Sequence, residues 1–197
     1  MYERKDVFYK KAKQEGYRSR SAYKLLELNR EFHFLKPGDR VIDLGSWPGG
    51  WVQVAAGLAG PAGKVVGIAL VQLDPFPLAN VTLVQGDATD PLQQGKLLTL
   101  LGGPADVLLS DMASKLSGIK EVDDARSMHL CRAALSCAPA LLRLGGTLLL
   151  KVFMGPEHKM FLAELRAAFA TVKATRPEAT RKGSAETYVL AGGLKKP

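Results

Sequence analysis

Cysteine is scarce. The 197 residues contain two, Cys131 and Cys137, both in the Ala/Leu-rich stretch LCRAALSCAPALL. Six residues apart on a helix, two side chains point in different directions. The pair reads as two small buried thiols, and a disulfide framework is excluded. Histidine is nearly as rare: His33, His129 and His158 are scattered, and no Cys/His cluster has ligand spacing, so no metal site is expected. Long apolar runs are missing as well. The longest are too short and too interrupted to span a bilayer, so no membrane partner is expected. The opening MYERKDVFYKK has no apolar centre of the kind a signal peptide needs, and Glu3, Asp6 and Glu15 argue against a transit peptide. Internal repeats and low-complexity segments are also absent.

What is present is an ordinary soluble composition, 47% hydrophobic and 23% charged. The length suits one domain with a full core, here residues 1–197, of which 1–39 form a basic helical extension packed on the rest. The net charge of +8 is unevenly spread. Residues 1–24 hold eight Lys/Arg against three acids, and residues 171–197 hold six against two. The body between them is therefore close to neutral. Two basic ends suit a polyanion, because displaced counterions favour binding to phosphates. From charge alone, two solvated tails explain the pattern equally well.

Strand-like and helix-like segments alternate. Strands are expected at 40–45, 64–70, 81–86, 105–111, 147–153, 171–177 and 186–192. Helices are expected at 51–60, 91–101, 122–144 with a possible break at Pro139, and 158–170. The alternation predicts an α/β fold, a mostly parallel seven-stranded Rossmann-like sheet with helices on both faces. The last two strands have no helix between them, so an antiparallel edge hairpin is expected. Ligands of such sheets sit beyond the carboxyl ends of the strands, where strand order reverses. Asp43, Gly45, Asp87, Asp111 and Lys151 all fall at such ends.

The first strand-to-helix passage, DLGSWPGGWVQVA at 43–55, is rich in glycine. It lacks G-x-G-x-x-G, which disfavours a nicotinamide-dependent oxidoreductase, and no P-loop lysine follows it. G-x-x-x-G-G around Pro48 fits a nucleoside-bearing ligand without pyrophosphate, such as S-adenosylmethionine. Asp43 can hold a cationic group there electrostatically. Asp87, past the third strand, can accept from an exocyclic amine of adenine, while Asp90 before Pro91 suits the helix N-cap. An acid at the end of the second strand, the usual ribose holder, is missing: the position carries Ala69 or Leu70, with Asp74 a little later.

One residue is out of place by composition. Lys151 stands inside TLLLKVF, and burying a lone ammonium is costly. Either it snorkels from the strand's end into water or it serves a site. YRSRSAYKLLEL (17–28), DLGSWPGGW (43–51), LLSDMA (108–113), LLLKVFMG (148–155) and RPEATRKGSAETYVLA (176–191) decide the matter. In that order they resemble the FtsJ/RrmJ-type ribosomal RNA 2′-O-methyltransferases over essentially the whole chain.

The resemblance implies S-adenosylmethionine-dependent methylation of a ribose, a uridine, in large-subunit ribosomal RNA. It implies a catalytic tetrad of Lys24, Asp111, Lys151 and Glu186. Its cofactor contacts would be Gly49, Trp51, Asp87 and Asp111, to which the glycine turn adds Asp43, Gly45, Pro48 and Gly50 as candidates. Lys10, Lys11, Lys13, Arg18, Arg20, Arg176, Arg181 and Lys182 are the candidates for phosphate contacts. Tyr17, Tyr23 and Trp47 are candidates for base stacking, core packing being the alternative for each. Methyl transfer requires the hydroxyl to lose its proton as it attacks. Burial and a neighbouring like charge favour a neutral lysine, whereas nearby carboxylates favour the charged one. Lys151 as base and Lys151 as anchor of a forming alkoxide both stay open. The resemblance further implies action on the assembled large subunit, as a monomer in the cytoplasm, or as a mature form in the mitochondrial matrix. Two departures touch the cofactor pocket: Ala69 replaces the family's acid, and Ser46 with Trp47 replace two small residues. Because of Ala69, an RNA-binding assembly factor with little catalysis is the alternative reading.

Overall fold

The computed structural model describes residues 7–114, 117–181 and 183–196. Seven strands form one sheet in the order β3-β2-β1-β4-β5-β7-β6. These are β1 (Arg40–Leu44), β2 (Lys64–Ala69), β3 (Val81–Gln85), β4 (Ala105–Ser110), β5 (Leu142–Phe153), β6 (Phe169–Thr175) and β7 (Glu186–Leu194). β1 to β5 pair in parallel, and β7 runs antiparallel between β5 and β6. The expected antiparallel pair is present, with the last strand inserted one place in from the edge.

Helices cover both faces, which is why the central strands read as continuous apolar runs. Successive strand residues alternate between two cores. Val41, Val65, Val107, Leu109 and Leu149 pack under α2 (Ala22–Phe32) and α3 (Gly50–Ala59). Ile42, Leu44, Val66, Leu108, Leu148 and Leu150 pack under α4 (Pro91–Leu101), α5 (Lys120–Leu141) and α6 (His158–Ala168). A short helix, α1 (Val7–Gln14), precedes them and buries Ala12 near Tyr23 and Ala179. Asp90 caps α4 by accepting from the Leu92 N–H at 2.9 Å, as its place before Pro91 predicts.

Two boundaries differ from expectation. α5 does not break at Pro139 but runs through it and stops two residues later. The proline removes the one bond its N–H would have given to the Leu135 carbonyl, and the helix closes beyond it with the Leu142 N–H donating to the Ala138 carbonyl. β5 then begins at Leu142, not after a turn at Gly145–Gly146. Leu142 pairs with Ala105, the register shifts, and pairing resumes at Thr147 with Val107. Gly145, at φ +76, lies in this irregularity, as a bulge in a strand allows. The two thiols are free and buried and point apart: Cys131 donates to the Lys151 carbonyl and Cys137 to that of Ala88. No helix among the described residues is long and apolar enough to cross a membrane.

Candidate active site

The carboxyl edge of the sheet gathers the four charged residues singled out from sequence. Lys151 enters through β5 and Asp111 follows the end of β4, next to it in the parallel register. Glu186 opens β7. Lys151 lies directly across from Tyr188, and Phe153 across from Glu186. Lys24 arrives from α2, whose Ala22, Leu25 and Leu28 are buried in the core under the sheet.

Lys151 is 8% exposed and does not snorkel. Its Nζ donates to the Asp111 carbonyl at 2.7 Å and lies 3.0 Å from Asp111 Oδ1. Lys24 Nζ lies 2.5 Å from Glu186 Oε1 and 3.1 Å from the Tyr188 hydroxyl. Tyr188 links the halves: its hydroxyl is 2.8 Å from Asp111 Oδ1 and 2.9 Å from Glu186 Oε1. Two ammonium groups thus face two carboxylates, which answers the cost of burying either sign alone. Burial and the two carboxylates push the Tyr188 phenol well above its ordinary value, so it stays protonated and serves as a donor. Sequence reasoning missed Tyr188. The signal was available, since residues two apart on a strand share a face and Glu186 had already been chosen.

Beside this cluster the chain turns sharply out of β1. The N–H groups of Gly45 and Ser46 both donate to the Ile68 carbonyl, at 2.9 and 3.0 Å. Gly45 sits at φ +71, and a Cβ there would lie 2.3 Å from Met112 Cγ. Glycine is required on both counts. Asp43, 1% exposed, has a carboxyl oxygen, Oδ2, with no partner. Burial first, and the nearby Asp111 charge second, push its carboxyl well above the ordinary range. An orphaned buried carboxyl of this kind suits a cationic ligand group.

A cavity of about 260 Å³ opens at Gly45 and runs to Ala69, Leu70 and Asp87 under α5 residues such as His129. It suits a nucleoside in size and apolar character. The Thr89 N–H and hydroxyl hold the exposed Asp87 carboxyl below its ordinary value through one oxygen, at 2.9 and 2.8 Å. Ala69 and Leu70 stand where a ribose-holding acid was expected, and Asp74 does not line the cavity.

Gly49, Gly50 and Trp51 face protein. Pro48, Gly49, Gly50 and Trp51 do not line the cavity. A Cβ on Gly49 would lie 2.4 Å from Phe76 Cζ, and one on Gly50 would lie 2.2 Å from Ser19 Oγ. Trp51 is buried, donates to the Ser21 carbonyl at 2.9 Å and packs against Tyr188, with ring centroids 5.8 Å apart. These residues seat the N-terminal extension and the loop after β2. The cavity opens at Gly45, at the start of the same turn.

The basic candidates divide similarly. Lys10 and Lys13 are exposed on α1, and Lys11 is 3.8 Å from Glu15. Arg18 donates to the Asp74 and Pro75 carbonyls at 2.8 and 2.7 Å, and its guanidinium lies over the Phe76 ring at 3.6 Å. Arg18 is thus engaged as a clamp on that loop. Arg20 donates to the Ala179 carbonyl and Arg176 to that of Arg181, which ties these arginines to the segment before β7. Arg181 is exposed, and Lys182 lies outside the described residues.

Comparison with known proteins supplies independent findings. Residues 17–194 match the family model described as FtsJ-like methyltransferase. Curated relatives include a ribosomal RNA large subunit methyltransferase E of Methanothrix thermoacetophila, 50% identical over 98% of this chain and 74% of the relative. A protein of the same name from Coxiella burnetii is 47% identical over 95% of this chain and 90% of its own. Among solved structures, a ribosomal RNA methyltransferase of Plasmodium falciparum superposes with a TM-score of 0.79 at 28% identity, covering 90% of this chain and 98% of that one. Aeropyrum pernix fibrillarin, solved with S-adenosyl-L-methionine bound, shares the fold at a TM-score of 0.60 and 19% identity, over 89% of this chain and 75% of that one.

Proposed function

Because the chain belongs to the FtsJ-like methyltransferase family, we propose that it methylates a ribose 2′-hydroxyl, that of a uridine, in large-subunit ribosomal RNA. Methyl transfer and the use of S-adenosylmethionine come with the family. The substrate follows from relatives named for large-subunit ribosomal RNA and from the basic N-terminal extension. One observation carries the reading: Lys24, Asp111, Lys151 and Glu186, brought from four distant segments, form one bonded cluster beside a nucleoside-sized cavity.

The residues fit the cofactor. Gly45, Asp87 and the cavity wall would take its nucleoside part, and Asp43 and Asp111 would face its cationic part. When bound, it supplies an electrophilic methyl on a sulfonium centre. The chain supplies the rest. Lys151 Nζ is tetrahedral, and Asp111 occupies two of its positions, through the carbonyl and Oδ1. The remaining position is where the ribose oxygen meets either its proton acceptor or the positive charge that steadies the alkoxide. Lys24, Glu186 and Tyr188 hold Asp111 in place from behind. Fixing the oxygen at the methyl donor accounts for much of the rate, because orientation replaces a bimolecular encounter. In the same reading the protein acts as a monomer in the cytoplasm, on the assembled subunit.

The test is incubation with methyl-labelled cofactor and large ribosomal subunits, followed by mapping of the labelled nucleotide. Lys151→Ala should lower turnover by about 10²–10⁴-fold, the usual range for a proton-handling group, with cofactor affinity retained. Near wild-type turnover would end the assignment.

A further inference from the structure

The two tryptophans stand four residues apart and have opposite surroundings. Trp51 is buried and bonded. Trp47 is 64% exposed, and its indole N–H has no partner among the described residues. Tyr9 is the other large aromatic that is more than a third exposed among the described residues. Trp47 also stands at a telling place. It lies two residues past Gly45, in the turn out of β1, and β1 pairs with β4, whose end delivers Asp111 to Lys151. It is absent from the lining of the cofactor cavity, although Gly45 is part of it. Trp47 is therefore an exposed indole in the turn at the carboxyl edge of the sheet, close to Gly45 in the chain and outside the cavity lining.

We propose that Trp47 is a stacking platform for an unpaired base of the substrate RNA at the methylated ribose. This rests on the reading of the chain as an RNA 2′-O-methyltransferase. The geometry demands such a partner. Lys151 is 8% exposed, so a ribose oxygen reaches it only if its nucleotide leaves a regular helix. A base drawn out this way loses its neighbours, and proteins that bind single strands replace them with aromatic faces. The N-terminal extension, whose Arg18 and Ser19 lie against Gly49 and Gly50 of the same turn, also places Lys10 and Lys13 in solvent on α1, so it attracts phosphates of the same strand.

The experiment compares wild type, Trp47→Ala and Trp47→Phe on large ribosomal subunits, with folding checked by circular dichroism. Trp47→Ala should raise KM for the subunit by about five- to hundred-fold, the effect of losing one stacked base. Its kcat and its affinity for S-adenosylmethionine should hold, and Trp47→Phe should restore KM. A single-stranded oligoribonucleotide should quench the tryptophan emission of wild type but not of Trp47→Phe, since Trp51 is shielded. An unchanged KM in Trp47→Ala, on subunits the wild type methylates, overturns the platform alone. A loss of cofactor affinity in its place overturns it too, moving Trp47 into the cofactor pocket. Wild-type protein that neither methylates nor binds RNA overturns the underlying reading and this inference with it.

Discussion

Tyr188→Phe tests whether the charged cluster is one network or two neighbouring pairs. The ring is fully buried and packs on Trp51, and phenylalanine keeps that packing, so the change removes one oxygen and leaves no sizeable cavity. That oxygen carries a single proton. It lies 2.8 Å from Asp111 and 2.9 Å from Glu186, so it donates to one carboxylate at a time, while Lys24 donates to it at 3.1 Å. The loss is one charge-assisted donated bond, about 1.5–3 kcal/mol. The bond accepted from Lys24 adds little, because that ammonium keeps Glu186 at 2.5 Å. For a chain of this size the melting temperature should fall by about 3–12 °C. Urea unfolding followed by circular dichroism, with the slope unchanged, gives the same quantity at fixed temperature. Turnover should fall by less than about ten-fold, a loss of roughly 1.4 kcal/mol or less. The reason is that the pairs Lys24–Glu186 and Lys151–Asp111 do not pass through the hydroxyl. A stability change within about 0.5 kcal/mol, the range of an inconsequential surface substitution, would show that the hydroxyl bridges nothing.

Asp43 gives a prediction in pH. Its carboxyl is raised in the fold by burial and by Asp111, so the folded state favours the protonated acid. The associated stability is complete below the unfolded value of about 3.9 and is lost as pH rises from there through the folded value. Asp43→Asn carries no proton to lose, so its stability relative to wild type should increase with pH across that window. Urea midpoints of both proteins in a pH series check this, and a difference independent of pH would refute it. The same variant should bind S-adenosylmethionine more weakly, by titration calorimetry, because the positive partner loses its counter-charge. Ala69 gives a prediction in affinity. Ala69→Asp places a carboxylate in the cavity wall at the end of β2. A charged bond to the ribose hydroxyls should tighten cofactor binding by about ten- to hundred-fold, and unchanged or weaker binding by folded protein would show that the ribose is held elsewhere.

The alternation of strands and helices was legible in the sequence because the central strands are apolar runs and α3 and α4 each end at a glycine, Gly60 and Gly102. What periodicity cannot carry is pairing. Nothing local in ETYVLAG says that β7 lies between β5 and β6, nor that Gly145–Gly146 is an irregularity inside a strand and not a turn. The charged cluster was legible only because the family order joined four distant motifs. Its connecting residue, Tyr188, was overlooked because a tyrosine in an apolar strand also reads as core, which its ring in fact is. The packing around Gly49, Gly50 and Trp51 was hidden for a reason of range. Their partners Phe76, Ser19, Ser21 and Tyr188 come from other segments, and no pattern within DLGSWPGGW shows that the N-terminal extension closes over it.

Lys151 brings these observations together. A lysine in the middle of LLLKVF contradicts the burial of its own strand unless the neighbours were arranged around it. Asp111 supplies a carbonyl and a carboxylate oxygen to the same ammonium, which the parallel register of β4 and β5 makes possible. Tyr188 and Glu186 must then share a face of β7, which its antiparallel pairing with β5 provides. Lys24 balances the second carboxylate, and that requires α2 to pack against the sheet, as its buried Leu25 and Leu28 ensure. Each charge is tolerated only because a separate piece of apolar packing delivers its partner. The extension carrying Lys24 therefore belongs to the working site as much as the sheet does, and loosening α2 should disable the cluster before it unfolds the core.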